Sequence, residues 1–422
     1  MSGGWWRRLT WAAVLLAAFA GCRGPAPGRV PPSNDHWLVV WAEDEDRAHS
    51  DFLAVLGADG TVVRTIPVKS SGNGPQGLNS ELRRDRRVFA TGGLTNRTFV
   101  FDLRDPRQGT LVAIDDPGTS RILAGPRGVA TVPGGRALVA CADEIGYRGA
   151  PREVLRSPGG LRVLDDSGRF VSDVPARDPA ARGFIVAPAG IAVHPALQRV
   201  VTASQGHGVT PTAQGEPVAG ITVQLWSLSG PTFEKNLVLP AGDRGDENLG
   251  PRTPVFLHRK PAMVVNANAG GGIYVSDTMD LPEPVFRLVA DLGARARPDG
   301  AAVTPDDRFY VTALAGSGRV VALAFGDHLH TAREVSSVAV DGTSSDGTAP
   351  LAMSLDGTRV AVSDGRRVRL LRLDPGGHLR LDGSFRDEGS GEPGVDFGRA
   401  TWPHGKTGAA RPRALLFVSG GE

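Results

Sequence analysis

The 422-residue sequence is short of the features on which much enzyme chemistry is built. It has two cysteines, Cys22 and Cys141, and no Cys-x-x-Cys pair. It has no Ser nucleophile elbow and no phosphate-binding Gly loop, so hydrolase, nucleotide and dithiol readings find no motif to rest on. Only four of its 47 basic residues are Lys, and aromatic residues make up 6% of the chain. A core without many rings must be filled by Val, Leu, Ala and Ile. No helical period persists beyond the first twenty residues, which argues against a helical domain. What is plentiful is Gly, at 56, and Pro, at 32, the residues of frequent turns.

The first residues read as an export signal. Trp5, Trp6, Arg7 and Arg8 form a basic n-region, and Trp11 to Ala20 is an apolar run too short to span a bilayer. Phe19-Ala20-Gly21-Cys22 resembles a bacterial lipobox, which would make residues 1–21 a signal peptide and Cys22 the lipidated first residue of the mature chain. An ordinary signal peptide cut nearby, with Cys22 incidental, is the competing reading. Twin-arginine export is not favoured, because Thr10 stands where that signal wants an apolar residue. Residues 22–35 are Pro-rich and polar, an extended tether after the lipidated Cys, and the expected location is the bacterial cell envelope, facing the periplasm or the exterior. Such a stalk leaves the globular part no need to touch lipid. Loss of Arg7 and Arg8 leaves 45 residues of each charge sign, so nothing favours a nucleic-acid partner. With Cys22 acylated, Cys141 has no partner for a disulfide and is expected to be a buried, inert thiol.

The remainder is organised by a repeat. Pro298 to Ala313, PDGAAVTPDDRFYVTA, recurs as related segments starting at Pro75, Pro126, Pro188 and Pro350, with a degenerate copy near Pro254, at intervals of 44 to 66 residues. Each copy reads Pro, small apolar run, turn, Arg, strand, and then continues into further short strands with period-2 alternation. That is the pattern of one propeller blade. A last Pro412 begins a single strand at the C-terminus, and surplus strands from His36 onward lack a starter. The two ends therefore complete one another. The predicted fold is all-β, a seven-bladed β-propeller over residues 36–422, closed by pairing of the N- and C-terminal strands so that no edge is left open.

Three insertions interrupt the repeat: Glu144 to Pro158, Gly206 to Pro217 and Ala241 to Thr253. They are expected on one face, as solvated loops or partner contacts. Asp243, Asp246 and Glu247 lack the alternating oxygen spacing of a Ca²⁺ loop. Of the histidines, His328 and His330 alone have chelating spacing, in an exposed turn. His36, His49, His194, His207, His258 and His378 read as surface or structural residues.

FLAVLGADGTVVRTIPV, GLTNRTFVFDLRDPRQGTLV, ITVQLWSLSG and above all GSFRDEGSGEPGVDFGRATWPHGKTGAARPRALLF resemble the bacterial branch of the selenium-binding protein family, which includes methanethiol oxidases. The resemblance runs over about residues 36–419. It implies a seven-bladed propeller and, in active members, oxidation of methanethiol at a copper site of histidines near the axis. The positions that would carry those histidines differ here. Pro75-Gln76-Gly77, Pro126-Arg127, Pro350-Leu351 and Pro412-Arg413-Ala414 hold no His, and only His404, in Trp402-Pro403-His404-Gly405, matches. One imidazole with two permanent guanidinium charges is no copper site, so no metal or other cofactor is expected. The residue after each Pro is expected at the axis, giving Gln76, Arg127, Ala189, Val255, Asp299, Leu351 and Arg413. Of these, Gln76, Arg127, Asp299 and Arg413, with His404, form a candidate ligand-binding set able to hold a small anion. The favoured function is a lipid-anchored, non-catalytic module that binds a small ligand or an envelope protein. The alternative is a copper-dependent methanethiol oxidase-like or selenium- and thiol-handling enzyme.

Overall fold

A computed structural model describes residues 36–419, apart from 45–50, 69–74, 81–85, 94–95, 116–122, 124, 142–145, 149–152, 156–158, 177–187, 205–221, 241–248, 327, 341–347, 399–401 and 403–408. The expected signal peptide, Cys22 and the expected tether lie outside the described residues. The compact unit His36–Glu422 folds as a seven-bladed β-propeller of antiparallel four-stranded sheets. Blades 1 to 6 begin at the axis with the strands Pro75–Ser80, Pro126–Thr131, Pro188–His194, Pro251–Phe256, Pro298–Val303 and Leu351–Met353. Blade 7 is composite. Its innermost strand is Ala410–Ser419, followed outward by His36–Asp44, Phe52–Leu56 and Val62–Pro67. Each innermost strand touches the next around the ring, and Ala410–Ser419 touches those of blades 6 and 1, so the ring is closed.

Strand patterning explains why the sheets stack this way. Middle strands such as Met263–Ala267 and Gly272–Ser276 are buried at every residue, because a blade is covered on both faces by its neighbours. Outer strands such as Thr110–Asp115 alternate between exposed and half-buried. In His36–Asp44 the period of two divides the side chains cleanly. Leu38, Val40 and Ala42 pack with Ala361, Leu370 and Phe385 of blade 6, whereas Val39 and Trp41 pack with Val88, Phe99 and Phe101 of blade 1. Trp41 also donates its indole N–H to the Thr91 carbonyl at 3.1 Å, which satisfies the only polar atom of a fully buried ring.

The C-terminal stretch that carries the family resemblance bridges blades 6 and 7. Val395–Asp396 adds a short fifth strand to blade 6, the Arg386 amide donates to the Asp59 carbonyl at 2.8 Å, and Trp402 packs on Phe52 and Phe397 at 4.9 and 4.6 Å. Asp387 holds the crossing in shape by accepting amides from Gly389, Ser390 and Asp396.

Strand direction gives the ring two unlike faces. Every innermost strand starts at one face, called here the rim face, and ends at the other, the turn face. Connections between second and third strands, and from blade to blade, emerge at the rim face; the hairpins joining first to second and third to fourth strands emerge at the turn face. All three insertions leave from the rim face. The first contains a small ribbon, Gly146–Arg148 with Glu153–Leu155. Gly206 to Pro217 lies outside the described residues, as do Asp243, Asp246 and Glu247. The third insertion ends earlier than expected, because the chain is already in the blade 4 strand at Pro251.

Candidate functional site: the axial rim

Six of the seven innermost strands share a local device. Pro75 pairs with Gly92 but Gly77 with Thr91, and the same slip follows Pro126, Pro188, Pro251 and Pro298. In blade 7 Pro412 pairs with Ala42 and Ala414 with Trp41, so Arg413 is the extra residue. The residue after the Pro therefore sits in a β-bulge, a feature that interrupts pairing and re-aims a side chain. Blade 4 corrects the sequence reading at this point. Its starter is Pro251, not Pro254, so the residue at this position is Arg252 and Val255 lies three residues further on. The second Pro of Pro251-Arg252-Thr253-Pro254 masked the register; the Pro-x-small triplet was the signal that could have found it.

Neighbouring blades clamp these bulges. Thr91 Oγ1 of blade 1 donates to the Arg127 carbonyl at 2.5 Å. Asn266 Nδ2 of blade 4 donates to the Asp299 carbonyl at 2.5 Å, and Asn268 Nδ2 to the Pro298 carbonyl at 3.1 Å. The Gly that follows in several copies is required by close approach. A Cβ on Gly190 would lie 2.0 Å from the Arg252 carbonyl oxygen, and one on Gly300 would lie 2.4 Å from the Leu351 amide.

The re-aimed side chains run along the rim from blade to blade. Arg252 Nε meets Asp299 Oδ1 at 2.5 Å, and Asp299 Oδ2 accepts the Ala349 amide at 2.5 Å. From the other side, Arg413 Nη1 donates to Thr348 Oγ1 at 3.2 Å, while its Nε pairs with Glu43 Oε2 at 2.6 Å. A belt of charge-assisted hydrogen bonds thus links blades 4 to 7 at the face where the innermost strands begin. Of the sequence-derived set, Asp299 and Arg413 belong to this belt and Arg127 is half-buried on the same rim in blade 2. Gln76 lies in Pro75–Ser80, but its side chain is outside the described residues, as is His404. Sequence reasoning missed Arg252 and Glu43, the partners of Asp299 and Arg413.

Chemically the described rim offers three guanidiniums, from Arg127, Arg252 and Arg413, against the carboxylates of Asp299 and Glu43. Side chains of this kind can hold a partner by hydrogen bonds and charge, and both carboxylates are engaged by guanidiniums. The rim does not fit a copper ion. Guanidinium nitrogens stay protonated and cannot donate a lone pair, Leu351 has no donor atom, and the two carboxylates are held by Arg252 and Arg413. Among the described residues no three His, Cys, Asp or Glu side chains are placed to share a metal ion.

Other chemistry-bearing residues are occupied elsewhere. Cys141 is buried, and burial pushes its thiol up to about 12. His330 Nε2 lies 2.9 Å from Arg287 Nη1, beside Asp277, in an exposed cluster whose guanidinium opposes a cation. Desolvation lowers the pKa of His194, whose Nδ1 accepts the Leu197 amide at 3.2 Å. A cleft of about 230 Å³ opens on the turn face between blades 5 and 6, lined by Asp306, Asp356 and Asp374. Each of those carboxylates accepts hydrogen bonds within its own turn.

No protein-family model matches the chain, and no curated protein matches it. Solved structures do. A hypothetical selenium-binding protein from Sulfolobus tokodaii superposes with a TM-score of 0.69 at 14% identity, over 93% of this chain and 95% of that one. The periplasmic gluconolactonase of Pseudomonas aeruginosa gives 0.61 at 14% identity, over 92% and 99%. A putative 6-phosphogluconolactonase from Bacteroides uniformis gives 0.60 at 12% identity, over 92% and 100%. At such identities these likenesses show the fold: the chain is built as the propellers of selenium-binding and lactonase-type proteins are built.

Proposed function

We propose that this chain is a lipid-anchored, extracytoplasmic propeller, related to the selenium-binding proteins, that binds a partner at its rim face and does not catalyse. The observation that supports this most directly is the belt itself. Positions that hold copper-binding histidines in the resembling family hold Arg127, Leu351 and Arg413 here, and Arg413 is engaged with Glu43 and Thr348. Side chains of that kind recognise an anionic or hydrogen-bonding ligand, a small molecule or a polar protein surface, through charge-assisted hydrogen bonds. The long connections that leave the same face supply contact area around it.

A copper-dependent, methanethiol oxidase-like activity is the second reading, favoured by the family resemblance of residues 383–417 and by the likeness to the Sulfolobus tokodaii protein. Fold alone does not transfer an activity. The full-length chain in detergent, exposed to Cu²⁺ and freed of loose metal, is expected to retain no stoichiometric copper by elemental analysis and to release no peroxide from methanethiol. Stoichiometric copper with turnover overturns the binding reading. For the anchor, Cys22→Ser is expected to move the protein from the membrane to the soluble fraction; retention in the membrane refutes lipidation at Cys22.

A further inference from the structure

We infer that the propeller lies with its turn face against the membrane, seated through the 277–286 connection of blade 4, so that the rim face looks into the aqueous compartment. This inference rests on the lipid-anchor reading above. The register of blade 7 carries its first half. His36 pairs with Ser419 and Asp44 with Ala410, and Ala410 is at the rim end of its strand. The chain coming from Cys22 therefore joins the ring at the turn face, on the side opposite Arg413. Residues 22–35 span at most about 50 Å when extended. A tether of that reach brings the ring to the lipid without choosing the face that meets it.

A second contact makes the choice. Blade 4 has the longest of the hairpins between third and fourth strands, running from Ser276 to Arg287, where blade 6 needs only residues 374–378. Leu281 and Val285 project from it at 48% and 66% exposure, and Leu288 follows at 41%. Buried Met279 and Phe286 root the connection in the blade, while the Lys235 ammonium, paired with Glu283 and the Pro282 carbonyl, fixes its outer edge to blade 3. The apolar side chains are thus presented on a fixed support. In a ring of seven, blade 4 stands across the axis from blade 7. The attachment at His36, the apolar contact of blade 4 on the far side and Leu355 of blade 6 are three points of one plane, and that plane is the turn face. Leu355, 44% exposed in the first hairpin of blade 6, lies on the same face. Few apolar residues suffice, because the anchor already holds them at high effective concentration near the lipid.

The test uses the full-length acylated protein in vesicles of phosphatidylethanolamine and phosphatidylglycerol carrying a nitroxide headgroup quencher. A fluorophore is attached through Val285→Cys or, in a separate protein, through Ser317→Cys in a rim-face hairpin of blade 5. Flotation of the protein with the vesicles reports the anchor, and quenching reports the orientation. The expected result is flotation of both proteins, with quenching at position 285 at least about threefold that at 317. A third probe, at Leu355→Cys, is expected to lose at least about half its quenching when Leu281 and Val285 are both changed to Ser. Flotation with equal quenching at 285 and 317, or with more at 317, overturns the orientation while leaving the anchor intact. Failure to float overturns the anchor, and the orientation with it.

Discussion

The two faces of this ring are built by different physics. At the rim face, side chains reach from one blade to the next: Arg252 to Asp299, Asp299 to the Ala349 amide, Arg413 to Thr348 and Glu43, Asn266 and Asn268 to the following bulge. At the turn face most polar side chains satisfy their own hairpin. Asp356 accepts from Ser354 and Thr358, Asp306 from Thr304 and Arg308, Asp374 from Gly376 and His378. Blade-to-blade contacts also occur there: Asp307 accepts the His258 and Arg259 amides of blade 4 at 2.7 Å each, and Lys235 of blade 3 donates to Glu283 and to the Pro282 carbonyl of blade 4. Asp306, Asp356 and Asp374 thus close their turns within one blade, whereas the bonds of Arg252, Asp299 and Arg413 run between blades. The difference teaches that polar changes at the rim should act between blades, and the same changes at the turns within one.

The sharpest contrast lies between two glycines. Gly300→Ala places a methyl group 2.4 Å from the Leu351 amide and 2.6 Å from the Ala349 carbonyl oxygen, backbone atoms of the next blade that cannot swing aside. It is expected to cost about 3 kcal/mol or more by urea denaturation. Gly134, in a turn-face hairpin with φ of +95°, has no atom within 4 Å of a Cβ. Its alanine variant should cost about 1 kcal/mol, for backbone conformation alone. Equal costs would break the comparison.

The next test concerns the belt. Asp299→Ala removes the carboxylate that pairs with Arg252 Nε and leaves the Ala349 amide without its acceptor. Because Arg252 keeps 19% of its side-chain exposure, the expected loss is about 2 to 3 kcal/mol, below that of a fully buried pair. Arg252→Met alone should cost about 1 kcal/mol, and the double variant should fall short of the sum by about 1 kcal/mol. Additive losses would show that the two blades are not coupled through this pair.

How much of this was legible beforehand follows from where each signal resides. The ring was readable because its signals are local. Pro, Gly and the Asp-Gly turns punctuate each blade within a few residues, and the incomplete ends at His36 and Pro412 announce the composite sheet. The rim was readable only as positions. Asp299 and Arg413 could be placed at the start of their strands, but their partners come from other blades. Glu43 stands 370 residues from Arg413, and no spacing rule connects them. Arg252 was hidden for a second reason, since a strand that opens with two prolines offers two registers and only the pairing of Pro251 with Ala267 decides between them. The packing of the 277–286 connection was likewise silent, because exposure of Val285 depends on how Met279 and Phe286 are rooted beneath it.

The smallest expected effect compares two aspartates at the ends of a single strand. Arg367–Leu373 of blade 6 starts at the rim face just after Asp364 and ends at the turn face just before Asp374. Burial pushes Asp364 up to about 6 against the pull of Arg369, whose Nε lies 2.7 Å away. At Asp374 the His378 amide does the reverse and holds the carboxyl below its ordinary value. The signs then oppose. For Asp364 the folded state binds the proton more tightly than the unfolded chain does. Its contribution is fully present below about pH 4 and is lost as pH rises through about 6. For Asp374 the contribution is present above the ordinary carboxylate range and is lost only as pH falls through the depressed value. Asp364→Asn removes the first titration, so the stability of the parent relative to this variant should rise by about 1 to 2 kcal/mol between pH 7 and pH 4. Asp374→Asn should leave the parent–variant difference flat over that interval and change it only in stronger acid. Parallel profiles for the two variants would mean that the strand's ends share one environment, and the distinction between the faces would fail where it is most local.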